Sequence, residues 1–427
     1  MRSVGAVFTL LTFITTGANA QHTWPQWGGP DRNFVVDSGV LAESWPEDGP
    51  PILWSRPLGT GHSSIVSNGG WLYTMYRVGN GREKAGPWDE EEIVVALDPA
   101  TGETQWEHKY PSRLENFNFG SGPHATPSVV GDRVFTMGTQ KQLKAFDGQS
   151  GEVVWEHDLI AEYDAPPLLL RAVVKAGYGG SPIAFGETII VTAGGPGQSV
   201  IAFRQSDGAL VWKSGDFLVS PVPPVLMNVS GKTQLIVVGG ASIHGIDPET
   251  GELLWSFPHD PGNDLNISMP FVGADDVIIV STAYQSGSRA LRLTQKDGMT
   301  VPEELWFTNR TRFMFLSAFR LDGMVYGTTG DFGPAFLTAL DVGTGKALWR
   351  HRGFGKASLL HADGKTIILD EDGKLALAKL SAKKAEILVE TSLFETRSWS
   401  APSLIGTTLY ARDRETVVAI DLGAQSP

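Results

Sequence analysis

The stretch Val95-Ala96-Leu97-Asp98-Pro99-Ala100-Thr101-Gly102-Glu103-Thr104-Gln105-Trp106 decides the fold because it recurs along the chain. It returns as Lys144-Ala145-Phe146-Asp147 leading to Gly151-Glu152-Val153-Val154-Trp155, and again as Ile201-Ala202-Phe203 leading to Gly208 and Trp212. Further copies run from Gly245-Ile246-Asp247 to Trp255 and from Thr338-Ala339-Leu340-Asp341 to Trp349, with a looser one ending at Trp306. Each copy reads as a hairpin. One strand ends at Asp, a turn containing Gly at positive φ reverses the chain, and a second strand carries Trp at a fixed register. The broad indole can then dock on the neighbouring unit.

The tryptophans at 54, 106, 155, 212, 255, 306 and 349 are separated by 52, 49, 57, 43, 51 and 43 residues. That is the length of a four-stranded blade with variable loops, so an all-β, eight-bladed β-propeller of antiparallel blades is expected. A degraded copy follows, with Leu375-Ala376-Leu377 and Glu386-Ile387-Leu388 as strands and Leu388 in the place of Trp. The segments Trp399–Pro402, Thr408–Arg412 and Val417–Asp421 then supply only three strands. The N-terminal segment Ile52-Leu53-Trp54-Ser55 is predicted to complete this last blade, so that strands from both ends close the ring and leave no open edge between blades.

The A-x-D-x-x-T-G-x-x-x-W phrase, clearest at Asp98–Trp106, Asp247–Trp255 and Asp341–Trp349, resembles the tryptophan-docking motif of the pyrroloquinoline-quinone (PQQ)-like propeller family. The opening Trp24-Pro25-Gln26-Trp27-Gly28-Gly29-Pro30, followed by Glu43-Ser44-Trp45-Pro46, is similar to the start of secreted bacterial members. The resemblance covers nearly the whole mature chain. It implies the fold strongly and the function weakly, since the docking motif is structural and one fold hosts many activities. The implied alternatives are a binding or scaffold propeller, a reduced PQQ-dependent quinoprotein dehydrogenase oxidising an alcohol or sugar with PQQ and Ca2+, and a scaffold of the outer-membrane assembly type. Quinoprotein dehydrogenases of the family often carry adjacent cysteines beside the quinone. This chain has no cysteine, and no stretch matches the family's calcium-ligand or catalytic-aspartate motifs.

Residues 1–20 read as a signal peptide: Arg2, an apolar run from Val4 to Ile14, and Ala18-Asn19-Ala20 as a cleavage site. Residues 21–427 are then expected to form a single propeller domain, periplasmic or secreted and monomeric. Later apolar runs are too short to span a bilayer, and without a cysteine a lipoprotein anchor is not expected. A net charge of −13 argues against a nucleic-acid partner. A small ligand or an extracytoplasmic protein is the expected partner.

In an antiparallel blade, the first and third turns emerge on one face, and the second loop and the link to the next blade emerge on the other. The first kind is tight here, as at Val130-Gly131-Asp132-Arg133, whereas the second kind is long: Arg77–Glu92, Tyr110–Pro123, Asp158–Tyr178, Ala193–Gln198 and Gly330–Ala335. Long loops on a rigid scaffold mark this face as the candidate site, although insertions are also tolerated there. Innermost strands begin with small residues, as in Gly61-His62-Ser63-Ser64, Gly122-Pro123-His124 and Trp399-Ser400-Ala401. The larger groups at those points, His62, His124, Tyr178, Lys356 and Trp399, with Arg312 and Arg171 nearby, are the candidate ligand-binding residues. Together they would suit a planar, anionic or carbohydrate-like ligand. No histidine spacing supports a zinc site, and no nucleophile elbow or phosphate loop is present. Asp370-Glu371-Asp372-Gly373 reads as a polar turn, and the acidic run Asp89–Glu92 as a solvated loop edge.

Overall fold

A computed structural model describes residues 22–78, 90–113, 120–167, 178–262, 265–283, 286–314, 317–331 and 333–424. The expected leader, Arg171 and most of the Arg77–Glu92 loop lie outside them. Eight antiparallel sheets follow one another as blades one to eight, beginning with Val66–Ser112 and ending with Ser403–Asp421. Blade eight is completed by the N-terminal strand β2 (Ile52–Pro57), which pairs antiparallel with Thr416–Asp421. The weak copy is blade seven, Ala357–Ser392. Blade five departs from the pattern: three strands span Val277–Thr308, and a single bridge between Phe271 and Ile279 stands in for the innermost strand. The one described helix is Leu159–Tyr163, capped by the Asp158 carboxylate.

The geometry explains the repeat. Asp98 Oδ1 accepts from the amides of Ala100 and Thr101, and the Gly102 amide closes back on the Asp98 carbonyl. A bulge then sets the register, so that Trp106 lies opposite Ala96 and Thr104 opposite Leu97. The indole docks on the next blade: Trp54 Nε1 donates to Pro99 O at 2.9 Å, Trp106 to Gly148 O at 2.8 Å and Trp155 to Gln205 O at 2.9 Å. Trp212, Trp306 and Trp349 do likewise. The turn glycine therefore has two duties. Gly102 has φ +72°, and a Cβ there would come within 2.6 Å of the Trp54 ring.

Three sites differ from the expected docking. Trp349 rests on the glycine-free connection Ser381-Ala382-Lys383-Lys384, its Nε1 donating to Ser381 O. Trp255 meets no such turn glycine, because blade five turns at Asp297-Gly298 with nothing near Gly298. Its Nε1 donates instead to Gln234, whose amide reaches Thr300 of blade five. In blade seven the register pairs Val389 with Leu377 and Ile387 with Ala378. Val389 thus holds the tryptophan's place, and Leu388 is the bulge residue.

Adjacent innermost strands share no ladder, and small hydroxyl side chains join several of them instead. Thr126 Oγ1 accepts from Ser64 N, Ser181 Oγ accepts from Thr126 N, and Ser317 Oγ donates to Leu359 O. Ser403 Oγ donates to Ile65 O across the closing seam. The same seam holds the buried Arg412, whose guanidinium donates to the carbonyls of Met75 and Gly59, both at 2.8 Å.

Candidate functional site

On the long-loop face, the starts of four consecutive blades bring polar side chains into one run. His62 and His124 meet tilted, at 5.1 Å between ring centroids, and His62 meets Trp399 at 5.6 Å. Their register follows from the backbone, where His62 N donates to Pro123 O at 2.8 Å. Trp399 Nε1 donates to Glu371 Oε2 at 3.0 Å, and Lys356 Nζ lies 3.4 Å from Glu371 Oε1. Arg397 bridges Glu371 and Asp372 at 3.3 and 2.8 Å. The guanidiniums of Arg414 and Arg397 lie 5.2 and 5.8 Å from the Trp399 ring. Four of the expected residues, His62, His124, Lys356 and Trp399, therefore belong to one cluster.

The other two lie apart. Tyr178 is buried in a core with Leu159 and Val191, its hydroxyl 3.0 Å from Thr192 Oγ1. Burial raises its phenol above the ordinary range. Arg312 pairs with Asp331 at 2.9 Å near the blade-six loop.

Charge in the cluster is tuned by burial and by neighbours. Burial pushes the His124 imidazole down to about 4, with Arg77 and Arg414 acting the same way, so this ring is neutral at physiological pH. Burial would raise the Glu371 carboxyl, but the Trp399 N–H and the cations Lys356 and Arg397 outweigh it and hold the group below the usual range. Below the cluster is a layer that the sequence reading missed. Glu92 is fully buried: it pairs with Arg77 at 3.4 Å and accepts from the Tyr110 hydroxyl at 2.8 Å. The expected solvated edge at Asp89–Glu92 is thus corrected at its last residue, because Glu92 lies in a strand with its side chain turned inward. Asp370–Gly373 is a turn as expected: Asp370 Oδ1 accepts from the amides of Asp372 and Lys374. Its Glu371 also anchors the cluster.

The family model for the outer membrane protein assembly factor BamB matches residues 90–297. The repeat, the eight blades and the relatives below point the same way. The chain is similar to the PQQ-like repeat β-propellers. This propeller is 24% identical to BamB of Yersinia pestis over 348 residues, covering 77% of the chain and 82% of that protein. It is 28% identical to the quinoprotein alcohol dehydrogenase PedH of Pseudomonas putida over 210 residues, 45% of the chain but only 31% of the dehydrogenase. The solved quinohemoprotein alcohol dehydrogenase of Comamonas testosteroni superposes with a TM-score of 0.63 at 14% identity, covering 96% of the chain and 82% of that structure, which shows a shared fold.

PQQ, a planar tricarboxylate, would need an accessible flat surface, and a Ca2+ ion bound with it would need a set of oxygen ligands. Among the described residues no three His, Asp or Glu side chains are grouped to hold a metal. Two of this chain's own guanidiniums already lie over the Trp399 indole, and Glu371 is engaged by donors of three residues, Trp399, Lys356 and Arg397. The described cluster does not fit the cofactor.

Proposed function

We propose that this propeller is an extracytoplasmic binding scaffold that engages a partner protein through its long-loop face. The observation that carries the proposal is the cluster His124–His62–Trp399–Glu371–Lys356, which crosses four blades on that face. A half-buried indole flanked by guanidiniums offers both an apolar anchor and charge, the residue types that dominate protein interfaces. The similarity to a protein named for outer-membrane protein assembly supports a scaffold role, and its match covers much more of both proteins than the dehydrogenase match does. The leader-like residues 1–20 support export, and no helix among the described residues is long and apolar enough to cross a membrane.

The test pairs two variants. His62→Ala with Trp399→Ala removes the anchor, and Asp132→Ala with Glu187→Ala alters two short turns on the opposite face. Co-purification of the partner from the source cells is expected to fail for the first pair only; equal recovery with both would overturn the proposal. Titration with PQQ, with and without calcium, addresses the dehydrogenase alternative. Saturable binding at one per chain, lost with Trp399→Ala, would replace the scaffold reading with it.

A further inference from the structure

The opposite mouth of the channel is filled by the chain itself. Trp24 makes a two-bond antiparallel bridge to Ser67, at the end of the innermost strand of blade one, and Pro25 O accepts from Val129 of blade two. Strand β1 (Val35–Val36) pairs in parallel with His361 and Ala362 of blade seven's innermost strand. Leu41 bridges Gly423 of blade eight. Innermost strands surround the axis, so a segment that pairs with blade seven and reaches blades three and four through Arg32 crosses it.

Between these contacts the chain makes a compact loop in which Arg32 and Phe34 both have left-handed backbones, at φ +52° and +57°. Such conformations persist when the surroundings hold them. The Arg32 side chain is 4% exposed. Nη1 donates to Pro224 O at 3.0 Å, Nη2 donates to Pro182 O, and Nε donates to Gln26 Oε1 at 2.8 Å. The two prolines directly precede the innermost strands of blades four and three. Among the described residues no carboxylate pairs with Arg32, so a cage of carbonyls receives the cation. These are features of a bound peptide: backbone pairing on free strand edges and one deeply inserted anchor.

We propose that the short-turn mouth is a peptide-binding seat, filled in cis by residues 22–42 with Arg32 as its anchor. The seat should take this segment as a compact loop, with the arginine at this register. The exposed Pro46-Glu47-Asp48 linker allows a test in the full chain, with β2 left in place. A protease site inserted after Glu47 is cut only after folding, and release of the N-terminal fragment is followed by gel filtration and mass spectrometry. The fragment is expected to stay at one per propeller and to leave at least tenfold faster from an Arg32→Ala chain. A labelled synthetic peptide of residues 21–47 should rebind the stripped ring, with an Arg32→Ala peptide at least tenfold weaker. Equal release rates with and without Arg32, or equal affinities of the two peptides, would overturn the proposal.

Discussion

Replacing Gly102 by alanine tests the ring closure through one atom. The new methyl would sit 2.6 Å from Trp54 Cε3, on a backbone at φ +72°. The left-handed conformation alone costs an alanine about 1–2 kcal/mol. The clash adds to this, because the indole must shift away from the turn and strain its 2.9 Å bond to Pro99 O, worth about 1 kcal/mol. Gly102→Ala should therefore cost about 3 kcal/mol in the natural chain. Trp54→Ala, which empties a buried docking site, should cost about 3–5 kcal/mol. In the Trp54→Ala background only the backbone penalty remains, so Gly102→Ala should then cost about 1–2 kcal/mol. The coupling of about 1–2 kcal/mol is the measurable quantity. Urea denaturation of the four proteins, followed by far-UV circular dichroism, gives it directly. Equal costs of Gly102→Ala in both backgrounds would mean that Trp54 does not rest on this turn, and the closure would be refuted.

Other outcomes follow from buried charge and from protonation. Glu92→Ala leaves the buried Arg77 guanidinium without its carboxylate partner and should cost about 3–5 kcal/mol in urea titration, whereas Glu43→Ala, which removes an exposed pair with Lys379, should leave the urea midpoint nearly unchanged. His259 and His244 are buried, and burial lowers them to about 3 and about 4. Their folded-state values lie below that of the unfolded chain, so their stabilisation is complete above about pH 6.5 and is lost as pH falls toward 4 and 3. At pH 5 each should withdraw up to about 2 kcal/mol. Melting temperature should thus begin to fall below about pH 6.5, and His259→Gln should flatten the slope; an unchanged slope would contradict it.

The fold was legible because the repeat obeys local rules. Asp at the turn accepts amides, Gly takes a positive φ under an indole, and Trp follows at fixed register, so spacing alone counted the blades and assigned Trp54 to the last one. Where register mattered without a marker, the reading slipped. A bulge moves the tryptophan position from Leu388 to Val389, and strand alternation turns Glu92 inward while Glu91 remains partly exposed. The candidate site was half legible. Bulky residues at the starts of inner strands located His62, His124, Lys356 and Trp399, but that rule cannot tell a mouth from a core, and Tyr178 went to the core. Glu371, Arg397 and Arg414 join through contacts between distant blades. Arg32 left no signal either, because a loop held by long-range carbonyls has no period to read.

The most direct test of the central claim is a crosslinking map in the source cells. A photo-reactive amino acid is placed singly at His62, Trp399 and Arg414 on the long-loop face, and at Asp132, Glu187 and Asp322 at the short turns. Binding through the long-loop face predicts one discrete crosslinked partner shared by the first three positions and absent from the last three. The same partner captured from the short turns, with none from the first three, would contradict the account.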